Sequence, residues 1–226
     1  MLVAAELKGE LARIQPARAC CRRAELVGLL YASPQDGGAA AIRVRTLDHA
    51  TARVAVHLAG SMGVPAMGPM RGAGRHHLEV VMQHADPDAW SWSAAKPHDR
   101  RAFLRGALLN ASISLGAAST HVEFVFRERA RARELVERLR SVQVRGRLLP
   151  RRGRTVVYIK GQEEVATLLR LTGANRALLD FEAGRVARDV RNRLNRLLNA
   201  EEANLDRTVR AADRQLRAIG QLRASG

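Results

Sequence analysis

The chain has 226 residues, with 38 Lys plus Arg against 22 Asp plus Glu, a formal charge of +16, and 46% apolar residues. That apolar share excludes a disordered basic tail, and no apolar run approaches the ~18 residues of a membrane span. Met1 to Lys8 form no basic-then-apolar leader, and the two adjacent cysteines, Cys20 and Cys21, are too few for a disulfide framework or a zinc site. The expectation is a cytoplasmic globular protein, without membrane contact, drawn to polyanions.

The first predicted element is a helix over residues 22–33, where Leu26, Leu29 and Leu30 recur at helical spacing. An extended run (Ala41 to Thr46), an amphipathic helix (about 48–62, through Val54, Leu58 and Met62) and a strand (His77 to Met82) follow. A second helix over residues 100–111 repeats the spacing with Leu104, Ala107 and Leu108. Alternating Val122, Phe124 and Phe126 predict a strand, and Leu135, Val136 and Leu139 a helix over about 129–140. Two strands, Val144 to Leu149 and Thr155 to Lys160, flank the turn-like Pro150-Arg151-Arg152-Gly153, and a short helix (about 162–171) ends before Gly173. This mixture predicts an α+β domain over residues 1–172. Beyond it, two helical stripes (Val186, Val190, Leu194, Leu197, then Leu205, Val209, Ala212, Leu216, Ile219) break at Asn199-Ala200. They predict a helix pair in residues 173–226, with its arginines on a solvated face.

The two main helices match at a constant offset of 78 residues: Arg22/Arg100, Arg23/Arg101, Ala24/Ala102, Leu26/Leu104, Gly28/Gly106 and Leu30/Leu108. The spacing is too long for a solenoid and fits a tandem duplication with half-repeats of about 1–97 and 98–172. A mid-helix glycine costs about 1 kcal/mol against alanine, so two at equivalent places need a cause. Close approach supplies it: Gly28 and Gly106 are predicted to mark where the two helices cross.

Leu26-Val27-Gly28-Leu29-Leu30-Tyr31-Ala32-Ser33 and Leu104-Arg105-Gly106-Ala107-Leu108-Leu109-Asn110-Ala111 resemble the paired LAGLIDADG helices of homing endonucleases. Nearly the whole chain resembles the WhiA family of bacterial sporulation regulators. The carrying segments are Cys20 to Leu26, Arg101 to Ala107, Val157 to Lys160, Asn192 to Asn199, Glu202 to Leu205 and Thr208. The likeness is thinnest between about 60 and 98. It implies a degenerate homing-endonuclease fold followed by a helix-turn-helix that reads promoter DNA. No such segment follows the tail helices before Gly226, so the module expected to give sequence-specific binding is missing from these residues, by truncation or because this member is short.

In active LAGLIDADG enzymes an acid near the end of each helix holds the divalent metals that activate water. The matching positions here are Ser33 and Ala111, and a hydroxyl and a methyl cannot hold Mg²⁺. Asp36 lies beyond Pro34, with no counterpart in the second copy. Other signatures fail as well: Gly72-Ala73-Gly74-Arg75 lacks a Walker lysine, and adjacent His76 and His77 would face opposite sides of a strand, with His84 the next histidine. Arg22 and Arg23 beside the cysteines offer a depressed thiol pKa and a redox role, against a packed helix start. Trp90 and Trp92 either stack on bases or anchor a loop.

The basic excess is left as the candidate site. Arg accounts for 35 of the cations, Lys only for Lys8, Lys96 and Lys160; coding bias explains the choice of Arg but not the surplus over acids. From Arg127 to Arg154 there are 11 Arg and three acids. Arg145, Arg147, Arg151, Arg152 and Arg154 are the candidate DNA-binding residues, with Arg145 and Arg147 expected on one strand face opposite Val144 and Leu148. The sequence thus reads as a monomeric, cofactor-free, non-catalytic regulator, associated with double-stranded DNA at the nucleoid. Its duplicated domain would be a scaffold, and family resemblance suggests a sigma factor, RNA polymerase or a WhiB-like protein as partner. A residual nuclease and a purely protein-binding module are the alternatives.

Overall fold

The computed structural model describes residues 4–33, 41–71, 77–86, 90–116 and 119–224. In chain order the elements are α1 (Ala4–Arg13), α2 (Ala19–Tyr31), β1 (Ala41–Thr46), α3 (His49–Ser61), β2 (Ala66–Arg71), β3 (Leu78–Gln83) and α4 (Pro97–Leu109). Then come β4 (Ser112–Leu115), β5 (Thr120–Phe126), α5 (Arg129–Arg140), β6 (Arg147–Arg151), β7 (Arg154–Lys160), α6 (Gln162–Thr172) and α7 (Asn175–Ala224). The α1 helix and strands β2 and β4 are elements that the hydrophobic periodicity left unread.

The strands form two antiparallel sheets, ordered β1-β3-β2 and β4-β5-β7-β6. Alternation decides which face of each is buried. In the first, Ile42, Val44 and Thr46 pair with Met82, Val80 and Leu78 on the core side. In the second, Val122 and Phe124 lie opposite Ile159 and Val157, and all four side chains belong to the core. The helices fill the space behind the sheets: α3 buries Ala52, Ala55 and Leu58, and α5 buries Ala132, Leu135 and Leu139. At the centre, α2 and α4 bury every residue from Ala24 to Tyr31 and from Ala102 to Leu109. Each large apolar side chain taken out of water there is worth about 1.5–3 kcal/mol.

The hairpin between β6 and β7 differs from its reading in sequence. Pro150 pairs with Thr155 and Arg151 with Arg154, so only Arg152 and Gly153 make the turn. Both have positive φ, 48° and 74°, as a two-residue type I′ turn requires. Pro150 is tolerated inside the strand because β6 is an edge of the sheet. The β6 strand also starts later than expected, at Arg147, leaving Val144 and Arg145 outside it.

The chain divides into two compact units, Met1–Glu182 and Ala183–Gly226. Within the first, the Glu10 carboxylate accepts the backbone N–H groups of Arg176 (2.8 Å) and Ala177 (2.9 Å) and so caps the start of α7. In the second, α7 runs through Asn199-Ala200 without a break, which corrects the expected helix pair. Neither residue breaks a helix, and alanine is the best former known. The apolar stripe of that unit stays open, from 48% exposure at Ile219 to 75% at Leu222.

Candidate functional site

The crossing of α2 and α4 organises everything near it. A Cβ on Gly28 would lie 2.0 Å from the carbonyl oxygen of Phe103, and one on Gly106 would lie 1.9 Å from that of Glu25. Gly28 and Gly106 are 78 residues apart, and so are Glu25 and Phe103. The contact therefore obeys the internal twofold, and the obstacle at each site is backbone, which cannot rotate aside. Beside the crossing, Arg105 Nη2 donates to Glu25 Oε2 at 2.6 Å, with side chains 10% and 1% exposed. Burial raises the Glu25 pKa, and the Arg105 guanidinium pulls it partway back.

At the C-terminal ends of the two helices, Ser33 and Ala111 are both buried. The Ser33 hydroxyl donates to the Leu29 carbonyl (2.8 Å), and the Asn110 amide donates to Ala32 O (3.3 Å) and Ser33 Oγ (2.9 Å). A cleft of about 440 Å³ opens beside them, lined by Lys8, Asp48, Asn110 and Ala111 among others. Its carboxylate is committed: Asp48 caps α3 by accepting the Thr51 N–H, with the Thr51 hydroxyl also 2.7 Å away. Burial lowers the Lys8 pKa, against the pull of Asp48. A hydroxyl bound to backbone, an amide and a methyl are poor partners for Mg²⁺, which is held through carboxylates. Asp36, Gly72 to Arg75 and His76 lie outside the described residues.

The N-terminal ends are chemically different. Cys20 and Cys21 of α2 meet His98 and Asp99 of α4, their ligand atoms all within 4.8 Å of one another. Cys21 Sγ is 3.3 Å from His98 Nδ1, which is 3.0 Å from Asp99 Oδ1. Burial first, then the bond to Asp99 and the nearness of Cys20, push the Cys21 thiol up to about 11. For Cys21 this overturns the depressed thiol expected beside Arg22 and Arg23; the Arg22 guanidinium turns instead to the carbonyls of Pro16 (3.1 Å) and Ala17 (2.7 Å). Burial opposes ionisation of Asp99, but bonds from both thiols and the neighbouring His98 outweigh it and hold its pKa low.

The tryptophans anchor their loop. Trp90 stacks on Phe103 at 5.1 Å, while Trp92 meets the same ring edge-on at 5.5 Å and donates through Nε1 to Ser141 Oγ (3.1 Å). Arg138, from the basic stretch, is also internal, lying over Tyr31 (4.4 Å) and Phe103 (4.9 Å) and paired with Glu134.

The five arginines singled out in sequence fall into three situations. Arg145 sits before β6 and donates through Nε to Glu164 of α6 (2.7 Å), away from the strand face expected for it. Arg151 is held by Glu123 through two bonds, 2.8 and 3.1 Å. Arg147, Arg152 and Arg154 form no ion pair among the described residues; Arg147 and Arg152 are exposed and Arg154 is half-buried. Alternation turns Arg147, Arg151 and Arg154 to the side of the sheet opposite the core. Tyr158, His121 and Lys160 share that side, with Tyr158 opposite Arg147 and the His121 and Tyr158 rings 5.2 Å apart. Strand register reveals those three, and the count of arginines could not.

A doubled α+β unit joined by two glycine-crossed helices is a LAGLIDADG-like protein. Comparisons with known proteins narrow the class. A sequence profile of the WhiA LAGLIDADG-like domain matches residues 100–191. A probable cell division protein WhiA of Desulforudis audaxviator is 35% identical over 241 residues, 95% of this chain and 77% of that protein. The protein of the same name in Desulforamulus reducens is 34% identical over 249 residues, covering 97% and 77%. Full-length WhiA from Thermatoga maritima superposes with a TM-score of 0.75 at 21% identity, covering 95% of this chain and 77% of that one. The N-terminal LAGLIDADG domain of WhiA gives 0.67 at 17% identity, covering 76% and 90%. The chain belongs to the WhiA family.

Proposed function

We propose that the chain is a non-catalytic, DNA-associated regulator of the kind that controls cell division and sporulation. The second sheet lays its open face and the β6–β7 hairpin against duplex phosphates. The single observation carrying this is the group Arg147, Arg152 and Arg154, three guanidiniums without a carboxylate partner among the described residues, gathered on one sheet face and its turn. Guanidinium groups match phosphate geometry and need no base contact, so they position the protein without reading sequence. Support for the absence of catalysis comes from Ser33 and Ala111, which put a committed hydroxyl and a methyl where metal-binding acids would stand. The partner that family resemblance suggests is a protein of the transcription apparatus, such as a sigma factor or a WhiB-like protein, and the proposed place of work is the nucleoid.

The test is supercoiled plasmid incubated with the full chain and Mg²⁺ or Mn²⁺, followed by native and deproteinised gels. Retarded but intact plasmid is expected. Nicks that EDTA suppresses, or plasmid that migrates freely at low salt, would overturn the reading.

A further inference from the structure

We infer that the N-terminal ends of α2 and α4 form a binding site for a zinc-class divalent cation, clipping the two repeats together. The ligands are both thiolates of Cys20 and Cys21, the imidazole Nδ1 of His98 and a carboxylate oxygen of Asp99. The two cysteines, too few for a zinc site by themselves, are completed by His98 and Asp99, and two sulfurs, one nitrogen and one oxygen form a set that a d¹⁰ cation takes tetrahedrally. Bond lengths of about 2.3 Å to sulfur and about 2.0–2.2 Å to nitrogen and oxygen put tetrahedral ligands roughly 3.4–3.8 Å apart. The donor atoms already lie within 4.8 Å of one another, and the Cys21–His98 pair stands at 3.3 Å. Closing the set means shortening the longest of these separations by about 1 Å.

The surroundings fit a loaded site. Two thiolates, one carboxylate and a divalent cation leave one net negative charge. It would sit at two helix starts, α2 and α4, and neither has a side-chain cap on its free N–H groups. Two of the neighbouring cations turn elsewhere: Arg22 to the Pro16 and Ala17 carbonyls, Arg100 to the carbonyls of Trp92 (3.2 Å) and Ser93 (3.3 Å). Cys20 is exposed and Cys21 half-buried, which leaves an entry path for the ion. Binding replaces the thiol protons with the metal, so two protons leave as one cation enters.

The repeat makes this arrangement possible. Cys20 and Cys21 stand 78 residues before His98 and Asp99, so the four ligands occupy equivalent positions in the two halves. Two different residue pairs at equivalent positions thus supply one mixed set, with one pair from each half.

The experiment uses the full chain, reduced and stripped with chelator, titrated with Co²⁺ and then Zn²⁺. Since Cys20 and Cys21 are its only cysteines, thiolate-to-cobalt absorption reports this site alone. Expected are one equivalent of Co²⁺ per chain, intense tetrahedral visible bands with thiolate charge transfer, displacement by Zn²⁺ and a higher melting temperature with Zn²⁺. Cys20→Ser, whose side chain is exposed and whose fold is checked by circular dichroism, should remove part of the charge transfer. It should also weaken binding by more than the roughly 10–100-fold that loss of an outer-shell partner costs. Asp99→Asn and His98→Gln should keep charge transfer while shifting the visible bands. An octahedral spectrum without thiolate absorption, one metal shared by two chains, or visible bands unchanged in both His98→Gln and Asp99→Asn would overturn the site.

Discussion

The two ends of the α2–α4 pair are built by the same symmetry and filled with opposite chemistry. At the C-terminal end, Ser33 and Asn110 bond to each other and to backbone carbonyls and Ala111 is buried, leaving a hydroxyl, an amide and a methyl. At the N-terminal end, Cys20, Cys21, His98 and Asp99 converge, and every one of them can lose a proton or hold a cation. A helix crossing of this kind brings residues of both repeats together twice, once at each end. The backbone therefore offers two composite sites, and side-chain identity decides which can do chemistry. Resemblance to a nuclease fold directs attention to the end where Ser33 and Ala111 stand in place of the acids.

Both ends depend on the crossing, so the sharpest way to break the comparison is to part the helices. Gly28→Ala and Gly106→Ala each force a methyl against backbone carbonyl oxygen. The expected loss exceeds about 4 kcal/mol, at the exceptional end for a point substitution, or the chain fails to fold. Chemical denaturation of both variants checks this; wild-type stability in either would show that the helices have room to spare.

A smaller effect is expected at the ion pair beside the crossing. Glu25→Ala leaves Arg105 charged in a site where its side chain is 10% exposed, at a cost of about 3–5 kcal/mol. Replacing both partners with leucine should return most of that loss, because two desolvated charges are then removed together. Equal destabilisation of the single and double variants would mean that the pair itself, not its desolvation, dominates.

The same pair gives the smallest stability effect, a dependence on pH. Burial raises the folded pKa of Glu25 above its ordinary 4.5, so the folded chain holds that proton more tightly than the unfolded chain does. The associated stability is complete below the unfolded value and is lost as pH rises through the folded one. Melting temperature should fall across that window in the wild type, and Glu25→Gln should flatten this part of the profile.

Much of the scaffold was legible because its signals are local. Leu26, Leu29 and Leu30, the matching Leu104 and Leu108, and the alternating Val122, Phe124 and Phe126 each carry a period that a short window reveals. The β4 strand has only four residues, and β2 carries Gly68 and Pro69 in its middle, so neither offered a pattern to read. Pro150 looked like a turn because a proline inside a strand is rare, and only the edge position of β6 makes it acceptable. The cluster of Cys20, Cys21, His98 and Asp99 was hidden for a different reason. Its two halves lie 78 residues apart and share no residue type, so likeness between the repeats begins just after them, at Arg22 and Arg100. Extending that alignment by two residues and asking for metal-binding types, not identities, would have found it. The arginine count misled in the other direction, since charge alone could not separate Arg145 and Arg151, held by Glu164 and Glu123, from Arg147, Arg152 and Arg154.

The most direct measurement of the proposed role is the salt dependence of duplex binding, wild type against the triple variant Arg147→Gln/Arg152→Gln/Arg154→Gln, with melting curves confirming that the variant is folded. Each phosphate contact contributes about −0.9 to the slope of log affinity against log salt, so three lost contacts should make it shallower by roughly 2–3. A triple variant that binds duplex with the wild-type slope would contradict the assignment of this sheet face to DNA.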